Sequence, residues 1–499
     1  MMGNCTIIGA TLRGVDAQLV RVEVSIGQGI PGFCIVGMPD TAVQEARERV
    51  RSAVKASGYF MPNEKIVVSL APGSMKKTGS GFDLPIALGI LVASKQIPED
   101  ALKNKLVVGE LSLDGYIHEV PGMLSFEVCA RESGYDMICP QDCTSVMEID
   151  GIVLFGVGRL TDFKSGVFDS PHGVQGVSQN VKDYRDVGGH EIAKRACQIA
   201  AAGEHGLLMM GPPGSGKTML AERIPSILAE LDEHERLETA RVYSAAGEDI
   251  ASIVAGIRPF RHPHHSISTA GLLGGGSPVR PGEVSLAHNG VLFLDEISQF
   301  SRATLQGLRQ PMEDGRITIV RAEGAFVMPA EFMLIAASNP CPCGYLGDPE
   351  VPCRCSQADI LSYQGRLGGP LLDRIDLQID VWRTSFDNVV HAGSDITSSK
   401  MLEGVLTARE YRSWRMSQLK HFVSSSLPID TVDLIERNNV SRDAEMFLRE
   451  STRRHALSGR SIVRIVGVAR TIADMEESRE VLEQHIAEAF GFRLREAAC

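Results

Sequence analysis

The sequence predicts an α/β protein in three parts: an N-terminal α+β domain, an α/β core with a parallel sheet, and a C-terminal helical domain. Three observations predict it. A chain of 499 residues is longer than one core usually organises. The apolar run Gly206-Leu-Leu-Met-Met210 leads through a glycine-rich loop into a helical pattern from Met219, the strand–loop–helix order of a doubly wound sheet. Two polar stretches without apolar period, residues 166–182 and 385–400, read as linker and tether, so the expected divisions are 1–165, 183–384 and 401–499.

In the first part, Lys65–Leu70 and Leu106–Gly109 read as strands and Ala42–Ser57 as an amphipathic helix. In the second, Val291–Leu294 and Phe332–Ala337 read as buried strands. In the third, helical periodicity is strongest over Met401–Met416, Ser441–Glu450 and Ser461–Met475.

Hydrophobic residues make up 43% and charged residues 22%, ordinary for a globular chain. A net charge of −12 argues against a surface that attracts nucleic acid everywhere, but it permits a narrow basic channel, because only the local field matters. No apolar run reaches the ~18 residues of a membrane span. No basic stretch followed by an apolar one opens the chain, so the expected location is cytoplasmic. Of eleven cysteines, Cys5, Cys34, Cys129, Cys139, Cys143, Cys197 and Cys499 are scattered and read as small hydrophobes.

Gly211, Pro212, Pro213, Gly214, Ser215, Gly216, Lys217 and Thr218 form a phosphate-binding loop. Its glycines let successive N–H groups face phosphates, and the following helix adds its positive end. Lys217 is placed to reach the β- and γ-phosphates of ATP, and Thr218 to bind Mg²⁺. Asp295 and Glu296 follow the apolar strand. Asp295 would complete the Mg²⁺ shell and Glu296 would polarise the attacking water; the alternative is an acidic pair opening a helix. Together they predict a Mg²⁺-dependent ATPase.

Asn339, after the strand ending at Ala337, could hold that water. Asn339 and Arg374, in Gly369-Pro-Leu-Leu-Asp-Arg-Ile-Asp376, resemble the sensor asparagine and arginine finger of AAA+ ATPases. A finger acts on a neighbour's nucleotide and implies an oligomer. The alternative for Arg374 is an ion pair with Asp373 or Asp376.

Longer motifs narrow the resemblance. They are Arg258-Pro-Phe-Arg-His-Pro-His-His265, Gly274-Gly-Gly276, Arg280-Pro-Gly-Glu-Val-Ser-Leu-Ala-His-Asn-Gly290, Leu308-Arg-Gln-Pro-Met-Glu313 and Asn339-Pro-Cys-Pro-Cys-Gly-Tyr345. With Gly32-Phe-Cys-Ile-Val-Gly-Met-Pro-Asp40 and Val468-Ala-Arg-Thr-Ile-Ala-Asp474, they make nearly the whole chain resemble the YifB/ComM family, magnesium-chelatase-like AAA+ ATPases related to the MCM helicases. The resemblance implies a hexameric homo-oligomeric ring and a DNA motor of the branch-migration kind. It also implies that Arg460 is a sensor-2 arginine on a helical lid over the nucleotide, with Arg464 as a substitute. Arg321 falls where MCM-type hairpins carry a basic pore residue; the alternative is an ion pair with Glu323 or Glu313.

A second function class is a chelatase-type ATPase that remodels a partner protein, although the acidic metal-binding domain expected of a chelatase partner subunit is missing from this chain. A third is a protein-handling machine, against which the lack of an aromatic pore loop counts. The runs Leu70–Leu88 and Gly109–Ile117 resemble the Lon protease domain. Gly81 stands where that family's serine would be and Leu124 where its lysine would be. Ser80 is one position off, and Lys76 and Lys77 lie on another loop, so no peptidase activity is expected.

Cys341, Cys343, Cys353 and Cys355 pair as C-x-C twice. Four thiolates could hold a structural Zn²⁺, although zinc sites usually space paired ligands by two to four residues; reduced thiols are the alternative. His262, His264 and His265, with Pro263 between them and Arg258 and Arg261 beside them, read as a loop near nucleotide or nucleic acid and not as a metal site.

Overall fold

The computed structural model describes residues 3–166, 168–174, 182–322, 324–367, 369–384, 396–422, 434–455 and 457–493. The expected linker and tether lie partly outside these residues, as does Glu323.

The N-terminal part is a seven-stranded mixed sheet flanked by helices. Strands β1 (Gly3–Arg13) and β2 (Asp16–Gly27) form a long antiparallel hairpin. Beyond β2 lie β3 (Gly32–Val36) and β4 (Lys65–Ala71), with β4 paired to β2. On the other side, β1 pairs in parallel with β5 (Lys105–Val107). A small ribbon of β6 (Glu110–Leu111) and β7 (Ile117–His118) stands apart, and β8 (Asp136–Pro140) and β9 (Leu154–Val157) finish the sheet. Along β2 the residues Val20, Val22, Val24 and Ile26 are buried, the period-2 signature of one covered face. The cover includes the helix Asp83–Ala93, apolar on all sides and buried throughout. Outside it lies the helix Thr41–Ala56, which starts where Asp40 accepts the Val43 N–H at 2.9 Å and buries Val43, Ala46, Val50, Ala53 and Val54.

The core holds five parallel strands. They are β10 (Leu207–Met210), β11 (Phe260–Arg261), β14 (Gly290–Leu294), β17 (Phe332–Ser338) and β18 (Leu377–Asp380), in the order β11-β14-β17-β10-β18. Between them, β12 (Gly274–Gly275) pairs with β13 (Arg280–Pro281), and β15 (Arg316–Arg321) with β16 (Gly324–Pro329), as antiparallel hairpins. The sheet is covered on both faces, which is why its strands read as unbroken apolar runs. Leu207, Met209, Val291 and Phe293 face a core shared with the C-terminal helices. Leu208, Met210, Leu292 and Leu294 face the opposite one.

The C-terminal part contains the helices Ser398–Phe422, Arg442–His455, Gly459–Met475 and Glu483–Gly491. Ser458 caps the third, accepting the Ser461 N–H at 3.2 Å. No helix among the described residues is long and apolar enough to cross a membrane.

The N-terminal part docks on the core through the helices Met123–Glu132 and Glu233–Ala246. The Gly122 N–H donates to Ser244 O at 2.7 Å and the Leu124 N–H to Ser244 Oγ at 3.1 Å. Leu124 is fully buried in one cluster with Leu208, Val242 and Leu292.

Candidate functional site

The phosphate loop leaves β10 at the C-terminal rim of the sheet. Gly214 and Gly216 take φ of +75° and +89°, left-handed values that favour glycine. At Gly211 a Cβ would fall 2.0 Å from Val381 O, so only glycine lets the loop pass the end of β18. The helix Lys217–Ala221 begins directly after Gly216. The Lys217 ammonium donates to Gly211 O at 2.8 Å and Pro212 O at 2.9 Å, and reaches Asn339 Oδ1 at 3.4 Å. Burial pushes it below its ordinary pKa, while the charges of Asp295 and Glu296 pull it up.

The neighbouring strands end level with β10: Met210 pairs with Ser338, and Leu294 with Ala336. That register delivers Asp295, Glu296 and Asn339 to the same rim. The Thr218 hydroxyl donates to Asp295 Oδ2 at 2.8 Å, and Asp295 Oδ1 accepts the Glu296 N–H at 2.9 Å. Glu296 has a φ of +49° and accepts from Gln299 Nε2 at 2.8 Å. A non-glycine residue held in this region stores strain, a feature that clusters at functional sites.

Arg374, Arg460 and Arg464 are not at that rim. Arg374 precedes β18, and Asp376 accepts the N–H of Gly206, just ahead of β10, at 2.8 Å. From Gly206 to Gly211 the chain is extended, about 16 Å at the rise of a strand. Arg374 is paired with Glu313, with its side chain only 9% exposed. Arg460 approaches the same Glu313 at 4.0 Å with its side chain 64% exposed. Arg464 donates to Asp376 Oδ1 at 2.7 Å. Burial alone would raise the Asp376 carboxyl, but His205, Arg464 and the Gly206 N–H hold it below its ordinary value. The expected closing of Arg460 over its own phosphate loop is therefore absent. The helix that carries it packs under the opposite end of the sheet, and its arginine is directed to Glu313.

Arg321 ends β15 opposite Gly324 and is exposed at the hairpin tip. Its suggested partner Glu313 is engaged elsewhere. Arg258 Nη2 donates to both carboxylate oxygens of Glu235, at 3.0 and 2.7 Å, and Arg261 binds Glu283 and Glu248 at 2.7 and 2.8 Å. These guanidiniums are committed to carboxylates, which speaks against the nucleic-acid reading of the 258–265 loop. His262 packs on Phe293 with ring centres 4.7 Å apart.

Ser80 donates to the Glu110 carboxylate and not to a lysine. At Gly81 a Cβ would crowd Val108 and Val120, at 3.2 and 3.3 Å. Lys77 is buried and donates to Pro72 O.

One residue, His190, escaped the sequence reading, and Glu313 was matched there with Arg321 and not with the arginines it meets. His190, which opens the helix Glu191–Gly203, would stand 3.3 Å from a Cβ on Gly216. Burial, helped by Lys194, lowers its pKa. Glu313 holds the arginines at the opposite rim. The only local signal at His190 was Gly188-Gly-His190 before a helix.

The four cysteines following Asn339 do converge. Cys341, Cys343 and Cys353 sulfurs are 3.4 to 3.6 Å apart, and all four lie within 4.8 Å of one another. A zinc–sulfur bond of about 2.3 Å puts the corners of a tetrahedron roughly 3.8 Å apart. A disulfide needs about 2.05 Å. The cluster is thus sized to bind zinc, despite the short C-x-C spacing.

A phosphate-loop helix rising from the middle of a parallel sheet in this strand order, with a helical domain behind it, defines the AAA+ class of ATPase. Comparison with known proteins narrows the class. The family models "Subunit ChlI of Mg-chelatase", "Magnesium chelatase, subunit ChlI" and "Magnesium chelatase, subunit ChlI C-terminal" match residues 22–143, 183–389 and 395–493. Over 497 residues the chain is 40% identical to competence protein ComM of Haemophilus influenzae, covering 96% of this chain and 95% of that one. It is 38% identical to YifB of Escherichia coli over 497 residues, with the same coverage. A stretch of 173 residues is 31% identical to the Holliday junction branch migration complex subunit RuvB of Paenarthrobacter aurescens, covering 32% of this chain and 38% of that one. The chain belongs to the magnesium-chelatase ChlI-like family of AAA+ ATPases, among the YifB/ComM homologues.

Proposed function

We propose that the protein is an ATP-driven ring motor acting on DNA, built from identical copies, with hexamer as the expected ring. The observation that carries this reading is the split of the site. Lys217, Thr218, Asp295, Glu296 and Asn339 share one rim of the sheet, and Arg374 and Arg460 the other. One copy alone offers two half-sites facing away from each other.

In the proposed reaction the bound ATP supplies the phosphoryl group that water takes up. Gly211 to Gly216 cradle its phosphates, and Lys217 leaves the Gly211 and Pro212 carbonyls to hold them. Thr218 and Asp295 hold Mg²⁺. Glu296 polarises the water and Asn339 orients it. Arg374 of a neighbouring copy leaves Glu313 to neutralise the charge that develops, with Arg460 beside it.

The DNA part rests on the exposed Arg321 at the tip of β15–β16 and on the likeness to ComM and, in part, to RuvB. Residues 1–165 form, in this reading, a Lon-like domain without its catalytic dyad, joined by 166–182 to an ATPase core over 183–384. A tether over 385–400 leads to the helical domain 401–499. The match to chelatase subunits supports a second reading, in which the ring remodels a partner protein.

A mixing experiment tests the split site. Lys217→Ala and Arg374→Ala are each expected to be inactive, and a mixture to recover part of the ATPase activity, because each supplies the half the other lacks. No recovery, with mixed oligomers present, counts against it. Stimulation of the ATPase by forked or four-way DNA supports the motor; stimulation only by a protein supports the second reading.

A further inference from the structure

The segment from Cys341 to Cys355 has no helix or strand, yet it abuts the nucleotide site. Gly344, with φ of +87°, is packed so closely on the phosphate loop that a Cβ there would lie 2.6 Å from Cδ of Pro213. Asn339, two residues before Cys341, reaches Lys217. Ser338 O accepts the Gly211 N–H at 3.2 Å. On its other side the segment leans on the residues after β18: the Arg383 guanidinium lies 5.4 Å from the Tyr345 ring centre, and Gly347 faces Trp382. The segment therefore spans from the end of β18 to the tip of the phosphate loop.

What keeps such a segment rigid is the question. Its apolar content is small, and the four sulfurs stand where its core would be. Two backbone groups point at them: the Cys343 N–H toward Cys355 Sγ at 3.4 Å and the Cys355 N–H toward Cys353 Sγ at 3.5 Å. N–H groups aimed at sulfur are the surroundings that thiolate ligands of a metal use.

We infer that Cys341, Cys343, Cys353 and Cys355 hold a zinc ion that makes their loop a strut for the phosphate loop, so that zinc occupancy sets nucleotide affinity. The inference rests on the proposed ATP site for its second half only. Without the metal, Gly344 loses its fixed place against Pro213, and Asn339 its fixed place against Lys217.

The test uses the full-length protein, metal analysis, and a fluorescent non-hydrolysable ATP analogue. Stoichiometric zinc is expected. Stripping it with a zinc-selective chelator, or making Cys353→Ser, is expected to weaken analogue binding about tenfold, a coupling of ordinary size between two linked sites. Linkage then requires saturating analogue to make the zinc harder to strip by the same factor. That reciprocal measurement starts from the loaded wild type, so it stands even if Cys353→Ser does not fold. Absence of zinc overturns the inference, as does zinc whose retention ignores the analogue. Lys217→Ala is expected to keep its zinc and lose the analogue. A zinc-loaded wild type that does not bind the analogue refutes the ATP site instead, and leaves the metal assignment standing.

Discussion

The hydroxyl of Thr218 and the carboxylate of Asp295 meet at 2.8 Å, joining the first turn after the phosphate loop to the end of β14. Both groups are proposed to share one Mg²⁺. Asp295→Asn keeps the shape and one accepting oxygen but removes the charge. The Mg²⁺ concentration that half-saturates ATP hydrolysis is expected to rise about ten- to a hundredfold. A Mg²⁺ titration of the ATPase checks this, and an unchanged midpoint would remove Asp295 from the metal site.

In the proposed Lon-like reading of the N-terminal part, Leu124 takes the place of a catalytic lysine, and its side chain is buried between the N-terminal part and the core. An ammonium placed there would lose the water that hydrates it. Leu124→Lys is expected to destabilise the fold by at least ~3 kcal/mol, read from denaturant unfolding, and to create no peptidase activity even when combined with Gly81→Ser.

Glu127 supplies a pH test. Burial raises its carboxyl from 4.5 to about 8, and the Met147 N–H, at 3.1 Å, only partly opposes this. Its Oε1 has no hydrogen-bond partner among the described residues. The folded chain binds this proton more tightly than the unfolded chain does. Stability from this group is therefore full below 4.5 and falls as pH rises to about 8. Glu127→Gln keeps an acceptor for Met147 and carries no charge. Its melting temperature relative to wild type is expected to climb across that window, and a flat difference would show that the carboxyl is not held neutral.

Arg321→Ala tests the hairpin. If the guanidinium contacts a phosphate, the variant is expected to bind DNA more weakly whatever the sequence, and the slope of log affinity against log salt is expected to shrink by about one. An unaltered slope would take Arg321 off the DNA path.

The elements that the sequence disclosed were those governed by local pattern. The expected helix at Ala42–Ser57 is found at Thr41–Ala56, and the strand at Val291–Leu294 is found at Gly290–Leu294. The phosphate loop was legible because glycine spacing, a flanking strand and a flanking helix are all written within one short stretch. Docking was not legible. Nothing near Leu124 announces that Ser244 receives it, since the two meet across 120 residues. The destination of Arg460 depends on which end of the sheet the C-terminal helices cover, and helical periodicity is the same for either end. The resemblance put a lid over the loop, and the observed packing takes Arg460 to Glu313 instead. The cysteine spacing was an imperfect guide for a similar reason: the closeness of the sulfurs is set by the turn at Gly344 and not by the count of residues between them.

In the proposed ring, two unlike ends on one sheet would give association a direction. A contact that joins the phosphate-loop rim of one copy to the arginine rim of the next cannot be its own mirror, so a pair of copies always leaves one rim of each kind unfilled. Any open string inherits the same two vacancies, however long it grows. Only closure fills both, which makes completeness a property of the circle and not of any member.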